Sequence, residues 1–327
     1  MEQAILGIDI SKSNFDVSLL STGSCKWNSF ENNLEGYQRL DRWLHKYSLP
    51  QIHCCMEATG QYADPVAEYL YESGYKVSVV NPARIKFYGN SKLKRNKTDK
   101  ADAELIAEYC LREKPGLWSP PPQNYKDLQA LIRQLDALME SRQREKNRLK
   151  SGVRTQTVIS SLKACVDFFT QQINEIKKEI KNLIDNDAEL LRRQKLLVSI
   201  KGIGFITAAK LLGEIRDIRA FQSASQLAAY AGLTPKNALS GSSVRKKTVI
   251  SKTGNAHIRK LLFLPAVTAR NWNPLVKEFC DRLAQNGLSP MEVVCAAMRK
   301  LLHLVFGVLK SGKPFDPNYL KNLSISA

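Results

Sequence analysis

Three short runs with strand-like alternation, residues 3–10, 15–21 and 25–31, open the chain with only tight turns between them. The pattern then changes period repeatedly. Residues 34–47 are amphipathic with helical spacing, 51–57 form an apolar strand, 63–73 a helix and 76–80 a strand; Asn81-Pro82 marks a turn, and a helix runs from about 98 to 112. Strands joined by hairpins pair antiparallel, whereas strands separated by helices return parallel. A mixed sheet with helices on its faces is the layout that satisfies both kinds of connection.

Hairpin-linked strands followed by strand–helix alternation is the ribonuclease H-like order, and four acidic residues fall where that order brings them together. Asp9 ends the first strand, Glu57 ends the fourth, and Asp99 and Asp102, three apart, share one face of the last helix. Clustered carboxylates raise one another's pKa, so such a group persists where hard, oxygen-preferring cations neutralise it. The set therefore predicts a Mg²⁺ site acting on phosphodiesters. Taken singly, Asp9 also fits a turn cap, Glu57 an ion pair and Asp99 a complement to the helix dipole; the joint order is what singles them out.

Charge points to the substrate class. Lys and Arg number 49 against 31 Asp and Glu, a formal net charge of +18, so the surface attracts polyanions. Nucleic acid ranks first as partner and an anionic membrane surface second. No apolar run approaches a membrane span, and the amino end lacks the pattern of a secretory signal, which predicts a cytoplasmic protein. Seven cysteines without a CxxC pair suit reduced thiols rather than a zinc site or a disulfide framework. The basic run 84–100, with Phe87 and Tyr88 interleaved, supplies Lys92, Lys94, Arg95 and Lys97 as candidate contacts to a phosphate backbone.

The organisation is read as three parts: an α/β domain over 1–118, a coiled coil or helical hairpin over 119–195, and a mainly helical domain over 196–327. Pro115, Gly116 and the run Pro120–Pro122 make a stiff linker. Residues 125–150 and 163–195 carry apolar seams, Leu128, Leu131, Leu135 and Leu138 on one and Ile173, Ile176, Ile180 and Leu183 on the other. Farther on, Gly202 and Gly204 lie between two apolar helical stretches, the pattern of a helix-hairpin-helix whose second helix aims N–H groups at a phosphate. Ser240, Ser242 and Ser243 then occupy a glycine-interrupted loop beside Arg245, Lys246 and Lys247, and Lys252 and Asn255 lead into a helix bearing His257, Arg259 and Lys260. A hydroxyl among cations suits attack on a phosphodiester, and serines among lysines also make ordinary solvated loops.

Together these stretches resemble a family. GIDISK around Asp9, MEATG around Glu57 and KTDKADA around Asp99 and Asp102 look like the acidic tetrad of the DEDD-type transposases of insertion sequences, a family that includes the pilin-gene-inverting recombinases. AGLTP, then Ser240-Gly241, then SKTGNAHIRKLL look like its carboxy-terminal signature. The resemblance covers nearly the whole chain. It implies a RuvC-like amino-terminal domain whose tetrad binds Mg²⁺, and a carboxy-terminal transposase domain in which Ser240 attacks DNA to give a phosphoserine link. It also implies donor and target DNA as substrates, a noncoding bridge RNA as guide, assembly as a homodimer or homotetramer, and a bacterial, nucleoid-associated location.

Other readings predict different behaviour. Sugar kinases and actin-like ATPases share the ribonuclease H core and a GID strand, yet need a second glycine-rich phosphate loop that this sequence lacks. A hydrolytic Holliday-junction resolvase would cut without Ser240, and a purely architectural nucleic-acid binder would not cut at all.

Overall fold

The structure, a computed structural model, describes residues 4–21, 24–49, 51–58, 60–92, 98–240 and 244–318, with residue 61 and residues 237–240 and 244–248 described by their backbone course. The chain divides into two compact units, Met1–Pro120 and Pro121–Ala327.

In the first unit, strands β1 (Ala4–Ile10), β2 (Asn14–Ser21) and β3 (Ser24–Glu31) form an antiparallel meander; α1 (Leu34–His45) leads to β4 (Ile52–Glu57), and α2 (Asp64–Glu72) leads to β5 (Lys76–Val80). The sheet order is β3-β2-β1-β4-β5, with β1, β4 and β5 parallel. This is the mixed sheet expected from the hairpin-then-crossover pattern. Helix α3 (Pro82–Ser91) follows β5 and α4 (Asp99–Glu113) closes the unit.

Alternation along β1 sorts its residues between two cores. Ala4, Leu6, Ile8 and Ile10 pack with Tyr37, Leu40 and Leu44 of α1 and Val66 and Leu70 of α2, while Ile5 packs with Leu105, Ile106 and Ala107 of α4. Gly7, on the α4 face, permits direct contact of strand and helix backbones: a Cβ there would lie 2.2 Å from the Ala103 carbonyl oxygen. Farther along, His53 Nε2 and Ser78 Oγ are 2.8 Å apart, and Cys110 Sγ lies 3.5 Å from His53 Nδ1, so a buried polar group ties β4 and β5 to α4.

Sequence read residues 81–82 as a turn into a basic run, but α3 begins there. Asn81 is its N-cap, accepting from the Ala83 N–H at 2.8 Å, with Pro82 in the first turn. The same dipeptide serves a turn and a helix start.

The second unit opens with the long pair α5 (Gln123–Lys150) and α6 (Gln156–Asp185), followed by α7 (Ala188–Val198), α8 (Phe205–Ile215) and α9 (Ala224–Tyr230). A two-stranded antiparallel ribbon, β6 (Pro235–Ser240) and β7 (Val244–Ile250), precedes α10 (Ala256–Trp272), α11 (Pro274–Gln285) and α12 (Pro290–Ser311). Helices α5 and α6 are joined by a short connection. The single helical segment read over 163–195 is two helices, because Asp187 caps α7 by accepting from the Leu190 N–H at 2.7 Å. One hydrophobic core runs from Tyr125, Leu128 and Leu135 of α5 through Leu197 and Leu212 to Leu301 and Val305 of α12. Among the described residues no helix is long and apolar enough to cross a membrane.

Candidate active site

The carboxylate edge follows from strand register. Ile8 pairs with Met56 on parallel β4, which sets Asp9 level with Glu57 on adjacent strands, about 4.8 Å apart in the pairing direction. On the other side Asp9 pairs directly with Asp16 of β2. Helix α4 lies on β1 and β2, and Thr98 caps it by accepting from the Ala101 N–H at 3.2 Å, so that Asp99 and Asp102 occupy its first turn. Capping and the helix dipole both favour acids in that turn. The Asp9 carboxyl is pushed up to about 6, first by burial and then by the charges of Asp102, Asp99 and Asp16. Three of the four predicted acids thus interact, with Glu57 on the neighbouring strand.

Among the described residues no three His, Cys, Asp or Glu side chains stand close enough to hold an ion as they are. The chemistry of the donors nevertheless fits a hard divalent cation: all four are carboxylates, and the repulsion that raises Asp9 is what such an ion relieves. Sequence reading missed Asp16. Its own carboxyl is pushed up by burial, opposed by hydrogen bonds from Ser29 and the Trp27 side chain.

The remaining candidates are dispersed over both units. Lys92, at the end of α3, pairs with Glu108 at 3.7 Å and lies 5.5 Å from the centre of the Tyr88 ring. Lys94, Arg95 and Lys97 lie outside the described residues, as do Ser242 and Ser243. Ser240 was expected in a loop; it is the last residue of β6, paired with Val244, and Arg245, Lys246 and Lys247 lie on β7. Basic composition and the Ser-Gly-Ser-Ser sequence conceal a strand pair whose partners are set by register rather than by local propensity.

The root of this ribbon is clasped. The N–H groups of Ser251, Lys252 and Asn255 donate to the carbonyls of Thr234, Gly232 and Tyr230 at 2.9, 3.1 and 2.7 Å. Gly254 has φ +137°, and a Cβ there would lie 2.2 Å from the Tyr230 carbonyl oxygen, which accounts for glycine. Asn255 Oδ1 accepts from the Ile258 N–H at 3.0 Å as the cap of α10, while Nδ2 donates to buried Glu214 at 2.8 Å. Arg259 Nη1 donates to the Ala231 carbonyl at 3.0 Å. Gly202, at φ +107°, packs against Ala269 of α10, and Gly204 caps α8.

Residues 6–156 match the family model of DEDD transposases of the IS110 type, described as "Transposase", and residues 194–281 match the model described as "Transposase IS116/IS110/IS902 family". The pilin gene-inverting protein of Moraxella bovis is 36% identical over 319 residues, covering 97% of this chain and 98% of that protein. The transposase for insertion sequence element IS1328 of Yersinia enterocolitica is 25% identical over 349 residues, covering 95% and 98%. A slight likeness, TM-score 0.27 at 12% identity, relates 35% of this chain to 96% of a chain of T. thermophilus RuvC in complex with Holliday junction substrate; at that score it has no bearing on the fold. The full-length matches define a DNA recombinase of the transposase and invertase class. Within that class, the chain belongs to the IS110-type family of DEDD transposases.

Proposed function

We propose that this transposase exchanges DNA strands through Mg²⁺ held by Asp9, Glu57, Asp99 and Asp102 and through nucleophilic attack by Ser240, on an amino-terminal fold of the ribonuclease H (RuvC-like) type. The observation that carries this reading is the charge coupling of Asp9 with Asp99 and Asp102 at the carboxyl end of β1, level with Glu57 on β4, in a chain of this family. A bound Mg²⁺ would polarise the phosphoryl oxygens. Ser240 Oγ forms the new bond to phosphorus as the strand's own oxygen leaves and takes up a proton, giving a phosphoserine ester. The hydroxyl of a second strand reverses that step and joins new partners without ATP, since the ester conserves the bond energy. Arg245, Lys246 and Lys247 on the ribbon, with Lys252, neutralise the DNA backbone near the attacking hydroxyl.

By the same family resemblance, a structured RNA encoded beside the gene pairs with donor and target DNA, and the protein works as a homodimer or homotetramer. Purifying the full chain from cells carrying its flanking DNA, and sequencing the RNA that accompanies it, tests the guide; random cellular RNA in that fraction would contradict it. For oligomerisation, mixing an Asp9→Asn chain with a Ser240→Ala chain is expected to restore strand exchange if subunits share the reaction, and no recovery would contradict sharing.

A further inference from the structure

Beyond the edge acids, one row of the carboxylate face lies open. Helix α4 covers β1 and β2, where Ser18 is fully buried, but the same face of β3 extends past it: Ser29 pairs with Asp16 and Trp27 with Ser18, and both Ser29 and Trp27 are exposed. Trp43 and Trp118 pack against the hydrophobic core, whereas Trp27 is 46% exposed on an edge strand. Its place is set by register: it lies diagonally across from Asp16 on the same face of the sheet, and Asp16 pairs with Asp9. An indole on the strand beside an acid of the site, with much of its surface open to water, has the properties of a stacking platform, since every base offers a π-face.

We infer that Trp27, one strand out from Asp16, stacks an unpaired base of the DNA strand whose phosphate lies at the Asp9 and Glu57 strand ends. The assignment rests on the functional reading above and adds to it a residue that receives the base beside the reacting phosphate. DNA in recombination is locally unpaired, and an unstacked base next to the reacting phosphate needs an apolar surface that the carboxylates do not offer.

The test uses the full chain with its accompanying RNA, Ca²⁺ in place of Mg²⁺ to hold DNA uncut, and fluorescein-labelled DNA either fully paired or forked with unpaired arms, with an all-RNA fork beside them. Trp27→Ala is expected to weaken fork binding at least about fivefold, the low end for loss of one stacked base. Duplex binding, the salt slope and the thermal midpoint should stay as in the wild type, and Trp27→Phe should recover most of the fork affinity. Unchanged fork binding by Trp27→Ala would overturn the assignment, as would a loss confined to an all-RNA fork or an equal loss on duplex. A wild-type chain that bound neither DNA would overturn the functional reading itself, and this assignment with it.

Discussion

Gly7 and Ala103 bring strand and helix backbones into contact: a Cβ on Gly7 would sit 2.2 Å from the Ala103 carbonyl oxygen, and 2.4 Å from the Ala107 nitrogen. That contact holds the first turn of α4, with Asp99 and Asp102, at the end of β1 where Asp9 stands. Gly7→Ala is expected to push α4 off the sheet and cost about 3 kcal/mol in urea unfolding, the upper range for overpacking. Gly307→Ala, inside α12 with nothing within 4 Å of the added carbon, is the control. It should stabilise by up to about 1 kcal/mol.

Burial and the neighbouring acids push the Asp9 carboxyl up to about 6, against an ordinary 3.8. Between those values the folded chain keeps a proton that the unfolded chain has lost, so stability falls as pH rises through the window. At pH 7 the ionised carboxylate costs the fold about 1 kcal/mol, below the ~3 kcal/mol of a fully buried shift because water screens it. Asp9→Asn should therefore raise the urea midpoint at pH 7 and leave it unchanged below pH 4. Mg²⁺ should raise the wild-type midpoint at pH 7, since a ligand bound only to the folded chain stabilises it, and should do less for the variant.

Asn255 uses both ends of its amide inside the fold, one to cap α10 and one on buried Glu214. Asn255→Ala is expected to cost about 2 kcal/mol, combining a lost cap with a buried carboxylate deprived of its donor. The salt dependence of DNA binding should be unaffected. A changed slope at unchanged stability would make Asn255 a phosphate contact instead.

In the proposed function Lys246 neutralises a phosphate of the DNA backbone. Lys246→Ala should lower the slope of log affinity against log salt by about 0.9, one phosphate contact, with similar effect on unrelated DNA sequences. A loss specific to one sequence would contradict a backbone role.

Much of this was legible in the sequence where the signal is local. Strand alternation placed Asp9 and Glu57 at strand ends, and helical spacing placed Asp99 and Asp102 on one face. What escaped depends on distant pairing or on ambiguous punctuation. Asp16 lies in a strand-like run with nothing local to set it apart, and only register places it opposite Asp9. Trp27 acquires meaning only through the same register, one strand farther out. The ribbon holding Ser240 read as a loop because glycine, serine and lysine obscure its alternation, while Asn81-Pro82 read as a turn because helix caps use the same residues. The break between α6 and α7 comes from a capping aspartate with no glycine or proline to announce it.

In the proposed function, Ser240 attacks a phosphate held by a cation on the four carboxylates. The most direct measurement of that step is the search for a DNA strand covalently attached to the protein, after incubating the full chain and its accompanying RNA with its element's flanking DNA and Mg²⁺. A protease-sensitive, protein-linked strand is expected for the wild type, and none for Ser240→Ala or Asp9→Asn. Attachment that persists in Ser240→Ala, or cleavage that proceeds with free strand ends only, would contradict it.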